Sequence, residues 1–138
     1  MRNRNYFVPF IENYSSIFRE LNFNFAKKTI ILLKGQLGSG KTTFVKELLS
    51  YKYKFNDVNS PTFGIINTYN IKENLIFHYD LYRINKLSEL DEIGFHDNLE
   101  TEAVHFIEWP EIIPLKLINA NFIISFETID QYLSLIHI

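Results

Sequence analysis

Gly35-Gln36-Leu37-Gly38-Ser39-Gly40-Lys41-Thr42 follows directly on the apolar run Thr29-Ile30-Ile31-Leu32-Leu33. The octapeptide has the form G-x-x-x-x-G-K-[ST], and it stands where that form carries meaning, between a strand pattern and a helix pattern. A loop that wraps phosphates must bring backbone N–H groups close to anionic oxygens. A Cβ at Gly35, Gly38 or Gly40 would obstruct that approach or the backbone angles it needs. Lys41 can then reach β- and γ-phosphates, and the Thr42 hydroxyl can ligate Mg²⁺. A helix beginning near Lys41 points its positive dipole end at the same place. A glycine-rich turn without a ligand explains neither the adjacent Lys-Thr nor the glycine spacing, so a nucleotide is expected here.

Outward from this loop, the pattern alternates between helix and strand. Ile11, Tyr14, Ile17, Phe18 and Leu21 recur at helical spacing, predicting an amphipathic helix over residues 11–23. Residues 29–34 read as a strand buried on both faces. Lys41–Tyr51 reads as a helix that turns Phe44, Val45, Leu48 and Leu49 toward the sheet. Residues 56–61 are a loop, because Pro61 disfavours helix at Ser60. Phe63–Tyr69 and Leu75–Asp80 read as a hairpin joined by residues 70–74. Leu87–Ile93 reads as a short helix with Ser88 as a candidate cap, and Ala103–Glu108 as a buried strand closed by Trp109-Pro110. Phe122–Phe126 and Tyr132–Ile136 are late strands. The expected fold class is α/β, a mixed sheet with a parallel core and added antiparallel strands, flanked by helices.

The 138 residues suffice for one core, so residues 1–138 are expected to be a single domain. Fourteen basic against sixteen acidic residues give a net charge of −2, which argues against a surface that grips RNA directly. The absence of cysteine excludes disulfides and thiolate metal sites. Met1–Asn5 is followed by no long apolar segment, and no run approaches the ~20 apolar residues of a membrane span. A cytoplasmic protein with no membrane contact is the expectation.

A nucleotide hydrolase needs a second carboxylate near its Mg²⁺, commonly at the carboxyl end of an apolar strand. Asp80 ends Leu75-Ile76-Phe77-His78-Tyr79, and Glu108 ends Ala103-Val104-His105-Phe106-Ile107. Each run would release its acid at the rim where the phosphate loop opens, and spacing alone does not rank them. Thr62, in Ser60-Pro61-Thr62-Phe63, is either a hydroxyl that approaches the γ-phosphate or a residue capping its own turn. Arg83, three residues after Asp80, has a carboxylate or a phosphate as candidate partners, or a surface role. His78 and His105 lack metal-ligand spacing and read as core or rim histidines. Trp109 reads as a packing residue near the cleft. The 13 Phe and 8 Tyr replace aliphatic core residues, because no basic residues interleave with them.

Four segments in order resemble one family: Gly35–Thr43, then Ser60-Pro61-Thr62-Phe63, then His78-Tyr79-Asp80-Leu81-Tyr82-Arg83, then Ile107-Glu108-Trp109-Pro110-Glu111. Together they resemble TsaE (also called YjeE), small bacterial ATPases needed for threonylcarbamoyl-adenosine formation in tRNA. The first segment is shared with many ATPases, whereas the other three are specific in combination. The resemblance runs from about Thr29 to Glu111. It implies that Lys41 and the loop from Leu37 through Gly38, Ser39, Gly40 and Thr42 to Thr43 hold the phosphates of ATP. It implies Thr42 and Glu108 as the Mg²⁺ ligands, Asp80 as a second catalytic carboxylate, and Thr62 on a switch-like loop. It also implies TsaB and TsaD as partners that handle the tRNA, which this chain would then meet only indirectly. Gln36 and Ser39 stand where the family commonly has Asp and Ala, at positions whose backbone amides face the phosphates.

Two other readings stay open from sequence. A small-molecule kinase would carry the same loop, yet such kinases usually bring an arginine-bearing lid over the transferred group. After Glu108 the chain has no arginine, and Lys116 is its one lysine. A binding module in which hydrolysis is incidental would tolerate loss of Asp80. The guanine-reading N-K-x-D pattern is absent, which favours adenine.

Overall fold

A computed structural model of the chain describes residues 3–61, 64–130 and 133–137. Its centre is β2 (Thr29–Gly35), whose five leading residues are buried. Strand pleating sends Ile31 and Leu33 into one apolar cluster, and Ile30 and Leu32 into another on the opposite face. Helices cover both faces, as a parallel-sheet core requires. On one side lie α1 (Tyr14–Leu21) and α2 (Lys41–Tyr53), which contribute Tyr14, Ile17 and Phe18 and Phe44, Val45, Leu48 and Leu49. On the other lie α3 (Leu87–Glu92) and α4 (Phe95–Glu100), which contribute Leu90, Phe95 and Leu99.

The sheet gains β1 (Asn5–Val8), β3 (Ile66–Ile71), β4 (Asn74–Asp80), β5 (Val104–Glu108), β6 (Phe122–Asp130) and β7 (Leu133–His137). The strand order is β1-β7-β6-β2-β5-β4-β3. The four middle strands β6, β2, β5 and β4 are parallel. β3 closes one edge antiparallel to β4, and β7 and β1 close the other, each antiparallel to its neighbour. This is the mixed α/β sheet expected from sequence. The aromatic excess fills the core: the Phe44 ring meets Tyr14, Phe18, Phe23 and Phe126 edge-on at 5.4 to 6.4 Å. Burying one such ring stabilises the fold by roughly 1.5–3 kcal/mol.

Several boundaries differ from the sequence reading, each for a local reason. Residues 11–13 form a 3-10 turn before α1 starts at Tyr14, and Asn22 ends the helix in the left-handed region (φ 47°). The hairpin strands run on to Ile71 and from Asn74, because Lys72 and Glu73 both take positive φ (48° and 69°) and make a two-residue turn. That geometry normally advertises itself with Asn-Gly, so Lys-Glu gave no signal. Ser88 lies inside α3; Lys86 occupies the cap position and no side chain caps the helix. β1 and α4 were not anticipated. The first has its pairing supplied by β7, far along the chain, and the second is six residues long with two buried apolar side chains. β6 extends four residues past Phe126. The expected strand starts at Phe63 and Tyr132 lie outside the described residues. Among the described residues, no helix is long and apolar enough to cross a membrane.

Candidate functional site

β2 delivers the chain into the Gly35–Thr42 loop at the carboxyl edge of the sheet, and α2 begins at Lys41. Gly35 is required by packing: a Cβ there would lie 2.5 Å from Ser39 Oγ and 3.0 Å from the Phe126 carbonyl oxygen of β6. Gly40 is required by backbone angle, since it precedes α2 at φ 107°, while the space where its Cβ would stand is open. The loop closes on itself through the Ser39 N–H, which donates to the Gln36 carbonyl at 3.1 Å. Ser39 is buried beneath it, and Leu37 projects at the tip, 67% exposed.

The Lys41 ammonium is folded into this loop. Its Nζ donates to the carbonyl oxygens of Gly35 (2.6 Å) and Gln36 (2.8 Å) and lies 4.3 Å from the centre of the Trp109 ring. Burial pushes the ammonium below the usual lysine range, and Glu108, Asp80 and Glu111 pull it back upward. Trp109 holds its position at a cost: it is a non-glycine residue in the left-handed region (φ 58°), with its N–H donated to Leu33 at 3.3 Å. The Trp109 ring also packs on Tyr82, centroids 4.8 Å apart.

Strand register brings the acids together. Asp80 and Glu108 are direct partners on the parallel strands β4 and β5, and Glu108 is level with Leu33 of β2. Period-two alternation then puts His78, Asp80 and Glu108 on the α2 face. Thr42, in the first turn of α2, donates its hydroxyl to Glu108 at 2.9 and 3.1 Å. Glu108 was expected at an open rim; instead it is buried, 3% exposed, because α2 lies over it. Its second partner is His78, whose Nε2 lies 2.5 Å from Oε2. A carboxylate only accepts, so Nε2 carries the proton. His78 is thus a core residue, as read from sequence, but one bonded to the site. Position i−2 from Asp80 on the same strand was the signal for it.

Asp80 stays half-exposed, with Oδ1 accepting the Tyr82 N–H at 3.1 Å. Burial raises its carboxyl above the ordinary range and Glu108 adds to the shift. The Tyr82 N–H, the nearby His78 and the Lys41 ammonium oppose it. His105 is separate from the site. It stands buried between Tyr79, whose hydroxyl donates to Nδ1 at 3.0 Å, and the Thr101 carbonyl, which accepts from Nε2 at 3.0 Å. Its burial depresses the imidazole below the usual histidine range, as suits a neutral structural ring. Thr62 lies outside the described residues.

The site therefore offers a turn-to-helix loop with a buried lysine, and a hydroxyl bonded to a strand-end carboxylate. Oxygen donors of this kind suit a hard cation such as Mg²⁺, which takes one or two protein ligands and completes its shell with phosphate and water. Among the described residues no cluster of three or more His, Cys, Asp or Glu side chains forms a metal cage of its own.

Comparison with known proteins agrees with this architecture. A Rickettsia conorii tRNA threonylcarbamoyladenosine biosynthesis protein TsaE is 39% identical over 103 residues, 74% of this chain and 58% of that protein. The chain thus spans about three-fifths of that relative's length. The Rickettsia prowazekii protein of the same name is 33% identical over 87% of this chain and 81% of its own. A crystal structure of Bacillus subtilis YdiB superposes with a TM-score of 0.70 at 26% identity, covering 99% of this chain and 84% of that one. A family model described as Threonylcarbamoyl adenosine biosynthesis protein TsaE matches residues 10–133, well past the Thr29–Glu111 stretch on which the resemblance was read, and the chain belongs to the TsaE family.

Proposed function

We propose that the chain acts as a single domain over residues 1–138, a Mg²⁺-dependent ATPase that supports threonylcarbamoyl-adenosine modification of tRNA by a TsaB–TsaD complex in the cytoplasm. The observation that carries the ATPase reading is the Thr42–Glu108 pair, a hydroxyl and a buried carboxylate bonded at 2.9 Å, with the hydroxyl on the residue that follows the loop lysine. The modification role is supported by the names its relatives bear.

In this reading Lys41 exchanges its loop carbonyl partners for phosphate oxygens, and the loop from Leu37 to Thr43 turns its amides toward the same anion. Thr42 and Glu108 would hold Mg²⁺, which would offset phosphate charge and polarise the γ-phosphoryl group. Asp80, level with Glu108 but still open to solvent, orients the attacking water and accepts its proton. Thr62 is proposed, from its sequence context, as a hydroxyl that would sense the γ-phosphate. The formal charge of −2 supports a division of labour in which TsaB–TsaD carry the tRNA.

The test is threonylcarbamoyl-adenosine formation on tRNA by purified TsaB–TsaD, followed beyond one product per complex. Adding this chain with ATP and Mg²⁺ is expected to sustain repeated turnover. Equal product with and without the chain would remove the modification role, leaving the nucleotide chemistry to be judged separately.

A further inference from the structure

His78 is the residue in this neighbourhood that no role yet explains. It is 0% exposed in β4, flanked by Phe77 and Tyr79, and Phe106 is its register partner on β5. An apolar side chain would suit such a place better, since a buried polar group without a partner destabilises a fold. Half of this imidazole has no partner among the described residues: Nδ1 is buried and makes no hydrogen bond to them. The other half has one, the contact from Nε2 to Glu108 Oε2. Among the described residues, the single polar interaction of this fully buried histidine is therefore made to the acid that Thr42 also holds.

We infer that His78 is a positioning residue that orients the Glu108 carboxylate for a divalent cation. The inference rests on the metal role proposed above for Thr42 and Glu108. The chemistry is that of an outer partner. A carboxylate on a short strand end rotates about its terminal bonds, and Thr42 contacts both of its oxygens. The N–H of His78, carried on a strand paired on both sides, holds Oε2. That leaves Oε1, which His78 does not engage and which Thr42 meets at the longer 3.1 Å, as the oxygen free to bind. Partners of this type commonly set metal affinity by 10- to 100-fold. Among the described residues His78 bonds none of the phosphate loop, and Lys41 takes its contacts from Gly35 and Gln36, so nucleotide affinity without metal should not depend on it.

The test is calorimetric binding of ATP in Mg²⁺ and in EDTA, for wild type, His78→Gln and His78→Leu, with folding checked by circular dichroism. Glutamine keeps an N–H near the Nε2 position, whereas leucine removes it. In wild type, Mg²⁺ should strengthen ATP binding. His78→Leu should lose that gain by about 10-fold or more, His78→Gln should keep most of it, and all three should bind alike in EDTA. An undiminished Mg²⁺ gain in folded His78→Leu overturns the inference and leaves the metal site standing. No Mg²⁺ gain in wild type overturns the metal reading and the inference together. Where His78→Leu does not fold, His78→Asn, whose amide stops short of Nε2, is judged by the same comparison.

Discussion

Lys41→Ala is expected to weaken ATP binding by about 100-fold or more while leaving the fold in place. The ammonium is already desolvated, seated within the loop and bonded to two carbonyl oxygens. Exchange of those partners for phosphate oxygens makes charge-assisted bonds worth roughly 1.5–3 kcal/mol each, and each 1.4 kcal/mol is about tenfold in affinity. Alanine forfeits both bonds and leaves the triphosphate without its nearest positive charge. The fold should survive because the two carbonyls belong to a surface loop that water can reach once the side chain is gone. Isothermal calorimetry with ATP reads the effect directly, and unchanged affinity in a folded Lys41→Ala protein would remove the phosphate-loop assignment.

Asp80→Ala divides binding from chemistry. Among the described residues the carboxylate accepts one hydrogen bond, from the Tyr82 N–H, and it stands half-exposed beside Glu108, so its removal disturbs little of the packing. ATP affinity should stay within a few-fold of wild type. Hydrolysis should fall by about 10²- to 10⁴-fold, the usual contribution of a positioned general base. The pH dependence has a definite sign. As the proposed general base Asp80 would work only when ionised, and burial has raised its carboxyl above the ordinary value. The hydrolysis rate should therefore fall on acidification, beginning at a higher pH than a free aspartate, near 3.9, would give. A mutant that hydrolyses ATP at the wild-type rate would remove Asp80 from the chemistry, and one that has lost hydrolysis yet still supports the partner complex would favour the reading in which hydrolysis is incidental to binding.

What could be read from sequence, and what could not, separates along physical lines. The loop and its flanking strand were legible because both signals are local: glycine spacing, Lys-Thr, and an unbroken apolar run. The buried faces of α1 and α2 were legible because helical periodicity is also local. The hairpin turn at Lys72-Glu73 was missed because its left-handed angles are imposed by strand pairing rather than by glycine or asparagine. β1 could not be read in advance, because its partner lies in the last residues of the chain. The same limit applied inside the site. Asp80 and Glu108 were both visible as strand-end acids, but their relation depended on which strands became neighbours. With β5 between β2 and β4, Glu108 falls under Thr42 and becomes buried, while Asp80 remains open to solvent. His78 was ranked with His105 because each is a lone histidine in an apolar strand. Only cross-strand geometry separates them, His78 on Glu108 and His105 on Tyr79 and Thr101. The charge of Lys41 over the Trp109 ring depended likewise on a backbone conformation that sequence does not announce.

The claim at the centre of this account is that the loop, the Thr42–Glu108 pair and Asp80 form an ATPase that answers to partner proteins. The measurement that tests it most directly is Mg²⁺-dependent phosphate release from ATP by this chain, alone and with purified TsaB and TsaD. Slow release by the chain alone, raised strongly by the pair and abolished when EDTA replaces Mg²⁺, is the predicted result. Phosphate release that is absent throughout, or indifferent to both the partners and the metal, would contradict it.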